Sequence, residues 1–233
     1  MSAVLDAIYG AYGIGTNVAV NGLDGGVGGT WSELTREALF LGALVAHLLP
    51  DNAEASGLLA LMRHCEARRP AQFDAGGRFV PLVQQDTTLW DRALMAAAEA
   101  ALLQAAGLRQ PGPFQLEAAI QSAHSQRAFT GHTPWPAIAA LYAALVEHFP
   151  STGALIGCAV ARADAGRLRL LGALASDEVA GYQPYWIVLA YLSGRTGQGD
   201  ALRRALERAL GLTADERIRR YLQAVAATGR WIW

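Results

Sequence analysis

The stretch WSELTREALFLGALVAHLLPDNAEASGLLALMRHC, residues 31–65, decides the fold class. Over 31–49, Leu34, Ala38, Leu41, Val45 and Leu48 recur at steps of three and four, the period that places side chains on one face of an α-helix. Pro50 ends that helix, because a proline ring cannot continue the backbone ladder. Asp51 followed three residues later by Glu54 is an acidic variant of the capping box. It predicts a second helix with core face Ala55, Leu58, Leu59, Met62 and Cys65, and the short connection makes the two helices antiparallel neighbours.

The same period extends outward in both directions. Val4, Ile8 and Tyr12 form a stripe before Gly22, Gly25, Gly26, Gly28 and Gly29, which read as a loop. Between Arg68 and Gln85 the period fails at Pro70, Asp74, Gly76, Gly77 and Pro81, predicting a loop or small hairpin. Asp86 is then a cap for a helix over 87–106, closed by Gly107, with Leu89, Ala93, Ala97, Ala101 and Leu102 on one side. After Pro111-Gly112-Pro113 a helix carries Phe114, Leu116, Ile120 and Ala123. Thr133-Pro134 opens one with Ile138, Leu141, Leu145 and Phe149, and Ser151 caps one with Leu155, Cys158 and Ala159. Helical segments are also predicted over 168–174, 181–193, 199–210 and 213–227. The fold class expected is all-α: helical hairpins stacked as a tetratricopeptide-like (TPR-like) array with a loop or hairpin insertion around 70–85. The pairs Ala201-Leu202, Ala205-Leu206 and Ala209-Leu210 suit close helix contact. An N-terminal helical part over 1–130 and TPR-like repeats over 131–233 are expected within one continuous domain.

Composition narrows the chemistry. The chain has 233 residues, 52% of them hydrophobic, and a net charge of −1, enough to bury a sizeable core. All nineteen basic residues are arginine, which removes mechanisms that need a lysine: the Walker phosphate loop, Schiff-base chemistry and the kinase lysine. Cys65 and Cys158 are too few for a disulfide framework, and no basic-then-apolar leader opens the chain, so a reduced, cytoplasmic protein is expected. The charge-free stretches 128–146 and 179–194 are broken by prolines, and no membrane span is expected.

Catalytic signatures are missing. G-x-S-x-G and H-E-x-x-H do not occur, and Gly13-Ile14-Gly15 follows a helical stripe rather than a strand and lacks the third glycine of a dinucleotide fingerprint. His47, His64, His124, His132 and His148 show no i,i+3 or i,i+4 pairing, and are read as surface or hydrogen-bonded histidines rather than metal ligands. The densest polar run is 84–92, where Asp86 caps, Trp90 packs inward, and Asp91 and Arg92 are expected to pair with the preceding loop's Arg68 and Arg69. Residues 195–233 hold eight arginines and four acids, against eleven and sixteen before them. With no recognition helix or aromatic platform, that mildly basic tail reads as a solvated face, and no direct DNA binding is expected.

The order of local motifs says more than any one of them. Leu5-Asp6-Ala7-Ile8-Tyr9, Arg36-Glu37-Ala38, Leu48-Leu49-Pro50-Asp51, Gly57-Leu58-Leu59-Ala60-Leu61-Met62, Ala67-Arg68-Arg69-Pro70-Ala71, Asp74-Ala75-Gly76-Gly77, Gln85-Asp86 with Trp90-Asp91-Arg92-Ala93-Leu94, Gly112-Pro113-Phe114-Gln115-Leu116-Glu117-Ala118-Ala119-Ile120, and Trp135 with Ile138, Leu141 and Tyr142 follow one another. This succession resembles the long helical C-terminal extension of a group of extracytoplasmic-function (ECF) RNA polymerase sigma factors. The resemblance implies a TPR-like domain attached behind the modules that read promoter DNA and grip core polymerase. Those modules have no counterpart in these residues, so an excised domain or a stand-alone relative is expected. The sequence departs from the group's pattern at Thr87-Thr88 and in its glycine-rich 22–29 segment.

The function expected from the resemblance is regulatory and non-enzymatic: modulation of transcription initiation by contact with sigma-factor modules, in cis or trans, and with core RNA polymerase. Candidate partner or structural-motif residues are Arg68, Arg69, Asp86, Trp90, Asp91, Arg92 and Gln115, and no cofactor or metal is expected. One rival is a small-molecule-sensing or enzymatic helical domain with a pocket near Trp90, lined by Trp31, Trp90 and Phe114. Another is a homodimer built on the C-terminal Trp231-Ile232-Trp233.

Overall fold

A computed structural model describes residues 1–20, 28–162, 179–229 and 231. Among them the protein is all-α, and the one β-type pairing is an isolated antiparallel bridge between Phe73 and Phe79. Of the expected loop over 22–29, residues 22–27 lie outside the described residues, and Gly28 and Gly29 are not loop but the start of a helix; the helix over 168–174, the side chain of Trp31, and Ile232 and Trp233 also lie outside them.

The chain packs as two compact units, residues 1–72 with 85–134, and residues 73–84 with 135–233. The first contains α1 (Ser2–Val20), α2 (Gly28–Leu48), α3 (Ala53–Ala67), α4 (Arg92–Gly107), α5 (Pro113–Ser125) and the single turn α6 (Arg127–Thr130). Gly13-Ile14-Gly15 lies inside α1, so no strand-to-helix phosphate turn exists there. Helix α3 is the centre, packing against α1, α2, α4 and α5. Ala55, Leu58, Leu59 and Met62 of its expected face are buried, Cys65 is partly buried, and Ser56, Gly57, Ala60, Leu61 and His64 are inside as well.

Two expectations are corrected here. Asn52, not Asp51, caps α3, its side chain accepting from the Ala55 amide. Glu54 turns away and accepts the Phe114 and Gln115 amides at 2.9 and 3.0 Å, capping α5 instead. This placement holds α3 and α5 together and meets the orphan donors of a helix N-terminus.

Helix α2 is also rotated from the expected face. It buries Thr35, Ala38 and Ala46, while Phe40, Leu41, Leu44 and Leu48 point to solvent. Leu39 and Val45 pack partly buried against the same core, and Gly42 sits at a close approach, where a Cβ would lie 2.3 Å from Met62 Cε. Gly57 does the same between α3 and α5, where a Cβ would lie 2.7 Å from the Gln115 backbone nitrogen. In α4 the buried face is Met95, Ala98, Ala101 and Ala105, and Leu89, expected on the inner side, is exposed.

The second unit contains α7 (Trp135–His148), α8 (Thr152–Ala161), α9 (Gln183–Arg195), α10 (Gly199–Leu212) and α11 (Glu216–Thr228). Pairs α7–α8 and α9–α10 pack as sequence neighbours. Ser151 caps α8 as expected, accepting from Ala154. The 73–84 segment joins this unit as a small hairpin. Asp74 accepts from the Gly76 and Arg78 amides, each at 2.9 Å, and from Arg78 Nε at 2.7 Å. Gly77 supplies the positive φ of 70° the turn requires. Arg217 lies 4.0 Å over the Phe73 ring, and Phe79 meets Tyr221 edge-on.

Candidate functional site

The sequence-predicted cluster assembles where α3 ends and α4 begins. Helix α3 stops at Ala67, and Arg69-Pro70-Ala71 forms a 3-10 turn. The chain re-enters the unit at Gln85. Asp86 accepts from the Thr88 amide and hydroxyl, so it caps a 3-10 turn, Thr87–Leu89, and not the expected long helix. These bonds hold its carboxyl below the usual carboxylate range. Asp91 then caps α4 at the Ala93 and Leu94 amides, and its own amide donates 2.9 Å to the Ala67 carbonyl at the end of α3. The turn therefore sends Trp90 inward and Leu89 outward.

Trp90 is only 2% exposed. Its indole N–H donates to Gln85 Oε1, and the guanidiniums of Arg127 and Arg68 lie over the ring system at 5.2 and 6.0 Å from centroid. Arg127 also donates to the Gln85 carbonyl at 2.8 Å, and Arg68 donates to Gln121 Oε1 on α5. The expected ion pairs of Asp91 and Arg92 with Arg68 and Arg69 do not form. Asp91 is committed to its cap, and Arg69 makes a two-pronged pair with Glu66 on the adjoining turn of α3 at 2.7 Å. Gln115 is a backbone participant, donating its amide to Glu54.

The residues flanking the buried tryptophan in sequence contribute to an exposed patch. Phe129 is 73% exposed, Arg92 stacks 4.6 Å over its ring, and Leu89 projects from the neighbouring turn. Arg92 also donates 2.9 Å to the Ala128 carbonyl, which fixes its fork before any partner arrives. Arginine and aromatic side chains are enriched at protein–protein contacts, and Leu89 adds apolar area beside them.

One buried network escaped the sequence reading. His64, fully buried on α3, has Nδ1 3.3 Å from Ser125 Oγ on α5 and Nε2 3.5 Å from Glu99 Oε1 on α4. Ser122 donates to the same Glu99 oxygen, and Ser125 donates to the Gln121 carbonyl at 3.0 Å. The residue types are those of a nucleophilic triad, but Ser125 and His64 are sealed in the interior and their bonds bridge three helices. Burial, aided by Arg68, pushes the His64 pKa down to about 4; Glu99 is half-exposed and too far for a full hydrogen bond, so the ring stays neutral. Burial and the arginines Arg68 and Arg127 push His124 down to about 4 as well. No sequence spacing links positions 64, 99 and 125, so only the fold could reveal them.

Among the described residues of the first unit, three clefts are of note. One of about 360 Å³ includes Asp6, Glu54 and Phe114. A second, of about 420 Å³, is lined by Tyr9, Tyr12, Cys65 and Arg69, and the third, of about 430 Å³, lies among α2, α3 and α4. Trp90 lines none of the three. Among the described residues, no group of three His, Cys, Asp or Glu side chains is placed to hold a metal ion, and no helix is long and apolar enough to cross a membrane. On the C-terminal helices, Arg203 and Arg219 pair with Asp200 and Glu216 one turn away, and Arg208 donates to the Ala180 carbonyl.

Residues 1–106 match a protein family of unknown function, DUF6596. The chain is 32% identical over 219 residues to an uncharacterized protein of Rhizobium meliloti (strain 1021), R00370; the alignment takes in 92% of this chain and 50% of that protein. The chain thus spans about half the length of this curated relative. No solved structure matches.

Proposed function

We propose that the chain is a regulatory C-terminal domain of an ECF sigma factor, with TPR-like helical pairs, that modulates transcription initiation by protein contact. The observation that carries this reading is the Leu89–Arg92–Phe129 patch, which the motif residues themselves build. The A-R-R-P turn supplies Arg68, the Q-D-x-x-x-W-D-R segment supplies the Trp90 anchor and Arg92, and the G-P-F-Q-L helix α5 leads into the α6 turn that carries Phe129. Asp91, Arg68 and Arg127 are tied into caps and bonds to neighbouring segments, which gives a stiff platform and leaves side-chain area outside for a partner. The partners are the promoter-reading and polymerase-gripping modules, in cis or trans, and core RNA polymerase, in the cytoplasm. The hairpin at 73–84, with Arg78 exposed at its tip, offers the second unit a contact of the same kind.

The half of the Rhizobium meliloti protein outside the alignment gives a first test: it is expected to carry sigma modules, and a different domain there contradicts the reading. The second test is a pull-down of core polymerase loaded with sigma modules. Retention of the chain at micromolar concentration supports the proposal, and an empty pull-down overturns it.

A further inference from the structure

The cleft among α2, α3 and α4 is walled on one side by Ala43 and Ala46 of α2 and on the other by Ala97, Ala100 and Ala101 of α4. Alanines at these spacings leave a furrow in which the ridge of a third helix can lie. The furrow is also charged. Arg63, on its floor, donates to the Ala97 carbonyl at 3.1 Å and has no ion pair, while His47 stands on the α2 wall and Gln104 near one end. No acidic residue lines it. Ser56, also on the floor, keeps a buried hydroxyl without a hydrogen-bond partner. Gln104, like Arg63, donates to a backbone carbonyl, that of Pro50, so what the cleft leaves uncompensated is the charge of Arg63.

Its rims are apolar and uncovered. Phe40 is 66% exposed, and with Leu44 it lies one helical step from the wall residues Ala43 and His47; Leu103 follows Ala100 by three positions on the other wall and is also exposed. A small carboxylate in the furrow would leave these rims in water. A helix would cover them, and patches of this kind mark interaction surfaces.

We infer that this furrow docks an amphipathic helix of a protein partner, whose apolar residues at i, i+3 or i+4 and i+7 rest on the alanine walls and leucine rims and whose single carboxylate pairs with Arg63. This site is separate from the Leu89–Arg92–Phe129 patch and does not depend on the sigma-factor reading. A charge-assisted bond from a half-buried guanidinium supplies the register, and the apolar contacts supply the area.

The test uses the full chain and a displayed library of helical peptides of about four turns. Enriched peptides are expected to share an apolar stripe with one Asp or Glu. For the tightest of them, made synthetically, Glu→Gln in the peptide is expected to weaken binding by about tenfold or more. Arg63 also helps hold α4, so the decisive variant is Ala100→Glu, an exposed wall position where folding is not at stake. It is expected to reject the acidic peptide and to accept a version with the carboxylate replaced by arginine. The inference is overturned if no peptide is enriched, if binding is indifferent to Ala100→Glu, or if hexanoate alone stabilises the chain against heat while peptides do not.

Discussion

Helix α3 is enclosed by four other helices, whereas α10 and α11 each bury a narrow stripe and turn arginines to water. Around α3 the buried polar atoms are tied across helices: His64 to Ser125, Arg68 to Gln121, Glu54 to the amides of α5. On α10 and α11 the ion pairs stay within one helix, Arg203 with Asp200 and Arg219 with Glu216. The difference teaches where specificity resides. A helix covered on all sides must match its neighbours in volume and hydrogen bonding, while a surface helix needs only a stripe.

The largest expected effect is therefore in α3. Leu61→Ala is expected to cost about 2–5 kcal/mol by urea denaturation, because packed neighbours on every side cannot close the cavity. Leu206→Ala in α10, buried in a smaller cluster with Ala190, Ala205 and Ala209, is expected at the low end of that range; equal costs would erase the contrast.

Next comes acid sensitivity. Unfolded His64 titrates near 6.5, and folded His64 resists protonation down to about 4, so its contribution is fully present above pH 6.5 and is lost as pH falls toward 4. The loss from this site alone reaches about 3 kcal/mol at the acid end. Stability measured from pH 7 to 5, above most carboxylate titration, is expected to fall less steeply in His64→Gln than in the parent. An unchanged slope would place that sensitivity elsewhere.

Gly57→Ala is expected to cost about 1–3 kcal/mol, since the added methyl meets α5 backbone. The same change at Gly211 on α10, where a Cβ meets nothing within 4 Å, is expected to be neutral or slightly stabilising in a thermal melt. Asp91→Ala, which removes a cap, is expected to cost about 1 kcal/mol. The smallest effect is Arg204→Gln on the outer side of α10, expected to stay within about 0.5 kcal/mol.

The contrast also explains what the sequence could and could not disclose. The helical period placed α7, α8 and α10 well, and Ser151 capped as its spacing indicates, because these elements depend on local chemistry. On α2, Ala38 and Val45 face the core as expected, but hydrophobicity weighs Leu41 and Leu48 above Thr35 and Gly42, which are the positions that approach the neighbouring helices. Asp86 was read as the cap and Asp91 as an ion-pair partner, whereas Asp91 caps α4 and its amide bond to the Ala67 carbonyl ties that start to the end of α3. Of the candidate site, Trp90 and its polar neighbours were visible in the sequence as one dense run. The role of Arg127 and Phe129 was not, because they reach the site from the far end of α5 across some forty positions of sequence.

On the proposed function, the buried Trp90 cluster presents Leu89, Arg92 and Phe129 to a protein partner. Titration of the chain into sigma-loaded core polymerase, alongside a Phe129→Asp variant shown by circular dichroism to keep its helical content, tests it directly. The account expects saturable binding by the parent and a loss of at least tenfold in the variant. Equal binding by both, or none by the parent, would contradict it.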